Sequence, residues 1–562
     1  MKLEKGRNAV STSAVVAVIV IIVLAALIVY FYTSQQAPQT TTQTTTPTPT
    51  TTTTQTVSYK DTIVIGTTDS VQSTIDPADA YDYFGDNIIQ NLGAGLVDYR
   101  PGTTQIVPAL ATSWTVSPDG KTWTFNLRQG VKFPDGTPFN ASVVKYSIDR
   151  QFKIDEPEGP FAGVGLDTII NRTVVNGPYQ VSFVLNSPTS FFLSLTAFIA
   201  MYPVNPNVAP MDKVVNYTGN VNTENPNGLG PYMLTNWVRS GGKDVEMDLT
   251  ANPYYWNSSA GYPKTKNIVI KFFTDSGSLN LALQSGQIDI AYRQLNPTDI
   301  QAYQSNPKFK VWTGPGTFIQ YLVFNEKQKP FDNVLVRKAI AAAIDRSLIV
   351  NNVFLGQVQP LYSMIPAGMQ YHADAFKVYG DGNVTYAQKL LQQAGYSQTN
   401  KLTFTLTYPT GHYQSTDGIA QAIKQALEKT GMISVNLASQ PWPNYRQSTS
   451  ADELQVYIYG WYPDFVDPFD YTNPFLPADG IGFLHTHYVN PEMTQLIQKA
   501  GSTSDTTQLA SIYQSIQQLL ASDAPIVPLF QGISIAVSSP KVGGIVLDAT
   551  TIFRYWLLWE TV

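Results

Sequence analysis

The sequence contains no cysteine and little charge, and each shortage removes a class of function. Without a thiol among its 562 residues, the chain cannot form disulfide bonds or use cysteine catalysis. Charged residues make up 14% of the chain, whereas about a quarter is usual in globular proteins. The net charge is -6, so no basic surface is available to neutralise a phosphate backbone, and nucleic acid is not expected as a partner.

Histidine is also scarce, which bears on metal binding and catalysis. The four histidines are His372, His412, His485 and His487. Only His485 and His487 are close enough in sequence to share a metal ion, and no third ligand stands at an obvious spacing from them. The sequence also lacks a Gly-x-Ser-x-Gly elbow, a His-Glu-x-x-His motif and a dinucleotide-binding glycine fingerprint. We therefore predict no metal site, no cofactor and no enzymatic activity.

An uncharged apolar stretch stands near the beginning of the chain, from Ala14 to Tyr32. As a helix it reaches roughly 29 Å at about 1.5 Å per residue, close to one hydrocarbon thickness. Lys2, Lys5 and Arg7 precede it, so the positive-inside rule places residues 1–13 in the cytoplasm. A cleaved signal peptide is the alternative, but such peptides have shorter apolar regions and a small-residue cleavage site. We predict a retained single-pass anchor in the cell membrane.

The segment that follows, residues 33–58, consists almost wholly of Thr, Gln, Ser and Pro. Such a composition has nothing to bury and favours a disordered stalk. Its reach is about 25–30 Å as a random coil and about 75 Å as extended polyproline II. A stalk of this reach lets an extracellular head move over a neighbouring membrane protein.

Strand and helix patterns alternate after the stalk, beginning near Tyr59. Apolar and polar residues alternate in several short segments, as in half-buried strands. Elsewhere apolar residues recur every three or four positions, as in amphipathic helices. No short internal repeat occurs, so α/β lobes are predicted and a solenoid is excluded. The alternating triplets are Trp123, Phe125 and Leu127; Val245, Met247 and Leu249; and Leu402, Phe404 and Leu406.

Two helices are predicted together with their ends. Asp332 or Asn333 caps the first helix, whose apolar face runs to Leu348 and whose end lies near Gly356. In the second helix Gly431 stands where a left-handed C-terminal cap is needed. The apolar positions of the second helix are Ile419, Ala422, Ile423, Ala426 and Leu427.

A series of longer motifs runs in order along the remainder of the chain. From Gly95 to Arg150 the sequence contains Pro-Ala-Leu-Ala, Ser-Trp, Asp-Gly-Lys-Thr, Leu-Arg and Phe-x-Asp-Gly-x-Pro, and later come GLGPYMLTNW, SGQIDIA, VRKAIAAAIDR and GWYPDFVDP. In this order the motifs resemble those of the family 5 extracellular solute-binding proteins, the dipeptide- and oligopeptide-binding group. Residues 9–26 are also similar to the start of archaeal pilin-type precursors, which agrees with an archaeal-like, anchored form.

The resemblance implies an α/β fold with two lobes, like the class II periplasmic binding proteins, and an extra insert subdomain. Such a protein closes like a flytrap on a ligand that touches both lobes. Hinges are expected near Tyr321 to Asn325 and near Val527 to Gln531. The implied boundaries are 59–98, 202–322 and 530–562 for the first lobe, 99–201 for its insert, and 323–529 for the second lobe.

The resemblance also places Gly460 to Pro468 at the cleft between the lobes. In peptide-binding members the Asp of this motif receives the α-ammonium of the ligand, and Asp464 stands at that position; a structural capping carboxylate is the alternative. A buried carboxylate and a buried ammonium are tolerated only as a pair. Gly460 is expected to admit a peptide backbone and Trp461 to form a pocket wall. The other predicted ligand contacts are Tyr462, Trp442 and Tyr445.

The function implied is capture of a di- or oligopeptide outside the cell and delivery to the permease of an ABC importer with a separate ATPase. The head is expected to be monomeric. An oligosaccharide ligand is the main alternative, because aromatic residues make up 12% of the chain and suit stacking on sugars. Ile458 stands where oligopeptide binders can carry an Arg for the peptide carboxylate, and this difference makes a peptide of three or more residues a less expected ligand. An exported hydrolase on a stalk is a further alternative.

Overall fold

The computed structural model describes residues 58–562 except 73, 158, 217–227, 294, 411, 504 and 551. The predicted cytoplasmic segment 1–13, the anchor 14–32 and the stalk up to residue 57 lie outside the described residues. Within the described part, no helix combines the length and the apolar character needed to cross a bilayer.

One mixed sheet of eleven strands forms the centre of the fold, in the order β15-β14-β16-β12-β17-β11-β1-β10-β9-β8, with β13 beside β17. A second sheet has the order β4-β5-β7-β6, and two small sheets pair β2 with β3 and β18 with β19. The strands are β1 Thr62–Thr67, β2 Val97–Tyr99, β3 Ile106–Pro108, β4 Ala111–Val116, β5 Thr122–Leu127, β6 Ile170–Gly177, β7 Gln180–Leu185, β8 Tyr232–Ser240, β9 Lys243–Ala251, β10 Asn267–Phe272, β11 Ile290–Tyr292, β12 Lys310–Phe324, β13 Val358–Pro360, β14 Leu402–Thr410, β15 Ile433–Pro441, β16 Val456–Trp461, β17 Ile526–Ser538, β18 Val542–Gly543 and β19 Trp559–Glu560.

The three alternating triplets lie in β5, β9 and β14, as their period of two predicts. In β5, Phe125 and Leu127 are buried, and in β9, Met247 and Leu249 are buried while Val245 is exposed at the start of the strand. The alternation therefore identified the strands and their buried faces.

Helices pack on the sheets and begin at polar caps. Asn333 accepts a hydrogen bond from the backbone N–H of Leu335, and Gly431 is left-handed with φ 70°, so both predicted caps are confirmed. The helices are α1 Tyr83–Leu92, α2 Ala141–Ile154, α3 Pro160–Gly163, α4 Leu166–Ile169, α5 Phe192–Leu195, α6 Ser276–Gln284, α7 Pro297–Gln304, α8 Val334–Ala343, α9 Val384–Gln393, α10 Thr416–Glu428, α11 Trp442–Ser450, α12 Pro491–Ser502 and α13 Thr506–Asp523.

Helix α8 ends earlier than its apolar pattern predicts. It stops at Ala343, and a separate π-helical turn covers Leu348–Val353. Arg346 lies between the two and is fully buried. Its guanidinium donates to the carbonyl oxygens of Leu361 and Pro528. These buried bonds hold the chain away from a continuous helix, because a buried guanidinium must be paired.

Two large apolar cores divide the structure. One core consists of residues between 63 and 292 and between 536 and 558, together with Phe465, and we call the part formed by the two ranges lobe I. The other draws on residues between 319 and 530, and we call that part lobe II. The four-stranded sheet contributes Phe125 and Phe183 to the lobe I core, so it packs on lobe I rather than forming a core of its own.

Strands β12 and β17 pass together from one lobe to the other. Their pairing is regular up to Pro315 opposite Ile533 and resumes at Ile319 opposite Gln531. At the break a Cβ on Gly316 would lie 2.4 Å from the carbonyl oxygen of Gly532, so only glycine allows this close approach of the two backbones. Ordered pairing is therefore interrupted at the point where the chain crosses between the lobes.

Candidate functional site

A cleft of about 680 Å³ lies between the lobes. Lobe I lines it with residues at the start of α1 and with the insert loops around Ala162 and Phe191. Lobe II lines it with the segment that follows β16, from Gly460 to Pro474. The cleft is large enough for a ligand of several residues, because binding pockets for small molecules measure about 300–1,000 Å³.

The two lobes touch directly around this cleft. The hydroxyl of Tyr81 in lobe I donates to Oδ2 of Asp464 in lobe II at 2.9 Å. Nη2 of Arg293 in lobe I donates to the hydroxyl of Tyr462 in lobe II at 3.1 Å. Phe191 stacks on Phe469 with ring centroids 4.2 Å apart. The structure thus shows the lobes in contact over the cleft.

Five of the six predicted site residues line the cleft: Trp442, Gly460, Trp461, Tyr462 and Asp464. The exception is Tyr445, which is fully buried in the core of lobe II. Its hydroxyl donates to the carbonyl oxygen of Ile458 at 2.6 Å. Tyr445 therefore supports β16 from behind and does not reach a ligand in the cleft.

Gly460 is a glycine for a different reason from the one predicted. A Cβ at this position would lie 2.6 Å from the ring of Phe318 and 3.1 Å from that of Tyr413. The hydroxyl of Tyr413 also donates to the carbonyl oxygen of Gly460 at 3.2 Å. The space beside Gly460 is thus filled by aromatic rings of this chain, and not left open for a ligand backbone.

The aromatic walls of the cleft are fixed by their neighbours. Trp461 donates from Nε1 to Oδ2 of Asp470 at 3.0 Å, and its ring meets Phe483 edge to face at 5.4 Å. His412 lies flat on Trp442, with ring centroids 3.6 Å apart and planes 8° apart. His412 therefore covers one face of the indole of Trp442.

Four carboxylates line the cleft: Asp82, Asp86, Asp464 and Asp470. No lysine or arginine stands among the described residues that line it. Burial raises the pKa of Asp464 to about 7, although the hydrogen bond from Tyr81 opposes the shift. Burial raises the pKa of Asp470 well above its usual range, and the charge of Asp464 adds to the effect. The raised pKa values indicate that ionised carboxylates lack a counter-charge in the cleft, so a cationic ligand, which favours the ionised form, is preferred.

Asp86 shows the same shortage of partners. Burial raises its pKa well above the usual value, and the charges of Asp82 and Asp464 contribute. Its Oδ1 is shielded from solvent and accepts no hydrogen bond from the described part of the chain. Buried acceptors without partners are rare in folded proteins, so this oxygen is available to a donor on a bound molecule.

A smaller cavity of about 170 Å³ adjoins the cleft behind Tyr83, His412, Tyr413 and Tyr462, which line both spaces. Its walls are polar and apolar in nearly equal measure, with one charged residue, Arg293. Arg293 is paired with Asp69 at 3.1 Å and lies 3.8 Å from the ring centroid of Tyr83. This cation is therefore already neutralised at the inner end of the cleft.

The contributions of lobe I were not predicted from the sequence. Tyr81, Asp82 and Asp86 lie almost 400 positions before Asp464, and only the fold brings them together. The one local signal is that Asp82 caps α1, accepting a hydrogen bond from the backbone N–H of Gly85. A cap residue marks the start of a helix but does not reveal what the helix end faces.

Comparisons with known proteins agree with this architecture. Residues 105–483 match the model of the bacterial extracellular solute-binding proteins, family 5 middle. The probable D,D-dipeptide-binding periplasmic protein of Escherichia coli (strain K12) is 31% identical over 480 residues, which cover 84% of this chain and 89% of that protein. An oligopeptide-binding protein of Bacillus subtilis (strain 168) is 27% identical over 463 residues, covering 78% of this chain and 82% of that protein.

A solved structure extends the comparison to three dimensions. The ABC transporter-associated periplasmic binding protein DppA of Helicobacter pylori, in complex with the peptide STSA, superposes with a TM-score of 0.72 at 26% identity. The match covers 90% of this chain and 99% of that protein. The two lobes and the cleft between them are thus those of a periplasmic binding protein fold.

Proposed function

The chain belongs to the family 5 extracellular solute-binding proteins, and on that premise we propose that it captures di- or oligopeptides in the interlobe cleft and passes them to the permease of an ABC importer. The members of this family are solute-binding proteins, so binding without catalysis is expected, and the exported hydrolase has no support from the described residues.

The observation that carries the peptide proposal is the charge of the cleft. Four carboxylates face a space lined by no described lysine or arginine. In the structure the side chain of Asp464 accepts a hydrogen bond from the hydroxyl of Tyr81. An α-ammonium would supply the missing positive charge together with up to three donors. Asp464 is therefore proposed as the anchor of the peptide N-terminus. Asp86 lies close enough to Asp464 for the charges of the two carboxylates to interact.

Calorimetry on the full-length protein tests this proposal. A panel of di-, tri- and tetrapeptides is compared with the same peptides acetylated at the N-terminus. We expect at least a hundredfold loss of affinity on acetylation, because the acetyl group removes the charge that the cleft is built to balance. Equal affinity for both forms, or tight binding of a neutral sugar in place of peptides, would refute the proposal.

The structure supports an oligosaccharide ligand less well than a peptide. Sugar sites depend on aromatic faces that are open to the ligand, and His412 already covers one face of Trp442. The indole of Trp461 is held by Asp470 and Phe483. A neutral sugar would also bring no positive charge to favour the ionised form of these carboxyl groups.

We further propose that residues 14–32 anchor the protein in the membrane and that residues 33–58 form the stalk. Residues 14–57 lie outside the described residues, and the proposal rests on the composition of both segments. An archaeal-like, extracellular, monomeric head held in this way stays close to its permease. We propose a first lobe of residues 59–98, 202–322 and 530–562 with its insert 99–201, and a second lobe of residues 323–529. The two apolar cores support this division except at its edges, where Ile319, Tyr321, Leu322 and Phe530 belong to the core of lobe II.

A further inference from the structure

Asp452, His485 and His487 meet in lobe II, near the start of β16. Asp452 precedes β16, whose other end carries Gly460 and Trp461 into the cleft. A strand of six residues spans roughly 20 Å at about 3.3 Å per residue. Asp452 therefore lies beyond the end of β16 that is opposite the cleft, whereas His485 and His487 closely follow Phe483, which lines the cleft. Asp452 is the third candidate ligand, which the sequence did not reveal.

The three side chains bring their nitrogen and oxygen atoms close to one another. Nε2 of His487 lies 2.6 Å from Oδ1 of Asp452, and Nδ1 of His485 lies 3.6 Å from the same oxygen. One ligand atom from each residue lies within 4.8 Å of the other two. Two imidazole nitrogens and one carboxylate oxygen form a donor set typical of Zn²⁺.

The backbone holds all three residues in the same uncommon conformation. Their φ angles are 59° for Asp452, 52° for His485 and 56° for His487. They account for three of the nine left-handed residues other than glycine that the described part of the chain contains. Asp and His tolerate this region better than most residues, yet its concentration at one spot is typical of a site whose geometry is imposed by the fold.

Contacts around the cluster keep its ligands in place. Lys327 binds the other carboxylate oxygen of Asp452, Oδ2, at 2.7 Å, so Oδ1 is the oxygen that faces the imidazoles. Gln328 donates from Nε2 to the carbonyl oxygen of Asp452 at 2.7 Å. The backbone N–H of His487 donates to Gly480 at 2.7 Å. Such outer contacts orient metal ligands in known sites.

We propose that Asp452, His485 and His487 bind a divalent transition-metal ion, Zn²⁺ by preference, with water as the fourth ligand. The imidazole rings are 6.5 Å apart between centroids, so a small rotation of both rings brings their nitrogens to the roughly 2.0–2.1 Å that Zn–N bonds require. Binding requires the contact between Nε2 of His487 and Oδ1 of Asp452 to open. The metal joins the loop that precedes β16 to the loop that carries the two histidines, which gives it a structural role in lobe II.

Metal titration of the full-length protein, without an affinity tag and stripped with a chelator, tests the site. Zn²⁺ is added in a calorimeter, and Co²⁺ is followed by its visible absorption. We expect one equivalent of either ion and the strong bands of four-coordinate Co²⁺. His485→Gln and His487→Gln should each weaken binding at least tenfold, while Lys327→Ala should strengthen it, because a competing cation is removed from Asp452.

His372→Gln is the matched control. His372 lies 3.2 Å from Asp374, which Lys377 also binds at 2.7 Å, so the residue types are the same but a second histidine is missing. The control should leave metal binding unchanged. Absence of stoichiometric binding, or an unchanged affinity in His485→Gln and His487→Gln, overturns the proposal. If those variants do not fold, X-ray absorption of the wild-type Zn²⁺ complex decides, since fewer than two imidazole ligands also overturns it.

Discussion

Asp464→Asn separates the charge of the proposed peptide anchor from its shape. Asparagine keeps one acceptor oxygen and the size of the side chain but cannot balance an ammonium. Leaving a buried charge without its partner costs about 3–5 kcal/mol. At about 1.4 kcal/mol per tenfold, that corresponds to a loss of affinity of roughly a hundredfold to several thousandfold.

The surroundings of Asp464 place the expected effect at the lower end of this range. Asp82, Asp86 and Asp470 also line the cleft and retain part of its negative potential in the variant. Asp470 stays close, because its Oδ2 accepts a hydrogen bond from the backbone N–H of Asp464 at 3.1 Å. We therefore expect a loss of about a hundredfold for a peptide with a free N-terminus.

The assay is calorimetry of wild type and variant with one peptide in its free and its N-acetylated form. Asp467→Asn is the control: Asp467 belongs to the same segment and has a pKa that burial raises to about 6, but it caps a short helical turn at Phe469 and does not line the cleft. Wild-type affinity in Asp464→Asn, or an equal loss in Asp467→Asn, would show that Asp464 is not the anchor.

The raised pKa of Asp464 predicts how pH changes peptide affinity and stability. Burial raises the pKa of Asp464 to about 7, and an ammonium favours the ionised form, so peptide affinity should fall as the pH drops below about 7. Calorimetry at pH 5 and 8 should show this fall, and equal affinity at the two pH values would contradict the prediction. A carboxyl whose pKa is raised on folding stabilises the fold at pH values below its pKa in the unfolded chain, about 3.9, and this stabilisation is lost as the pH rises through about 7. Asp464→Asn removes the group that is ionised at pH 8, so the variant should raise the Tm of the protein without peptide at that pH. Gly460→Ala should lower the free energy of unfolding by about 1–3 kcal/mol, measured in urea, because its Cβ would meet Phe318 at 2.6 Å; an unchanged midpoint would show that the ring moves freely. Removal of residues 1–58 should release a folded, soluble head. If the truncated protein is recovered only in the membrane fraction, residues 14–32 are not what anchors it.

Local patterns in the sequence were sufficient for much of the fold. The period of two identified β5, β9 and β14, and the caps at Asn333 and Gly431 are where the sequence places them. These features depend on neighbours a few positions away, which a single sequence shows directly. The early end of α8 could not be found in this way, because it depends on Arg346 binding the carbonyl oxygen of Pro528, a residue far along the chain.

The candidate site was predictable only in the half that one segment supplies. Gly460 to Asp464 came from a resemblance between motifs, and these residues do line the cleft. Trp442 and Tyr445 are three positions apart on α11 and were expected to act alike. Only Trp442 reaches the cleft, while Tyr445 is fully buried. Helical spacing shows which residues share a side but not where on that side the core ends.

The carboxyl groups of the cleft give one physical basis for ligand selectivity. Four carboxylates in a space without a described basic residue destabilise one another when ionised. The pKa of Asp464 is raised to about 7, and its side chain accepts a hydrogen bond from Tyr81 of the other lobe. A ligand that brings an ammonium permits full ionisation and competes with Tyr81 for the same oxygen. A neutral molecule offers neither gain, so its differential affinity for the closed cleft is smaller. The selectivity that we propose therefore comes from charge that the protein leaves uncompensated until a peptide is bound.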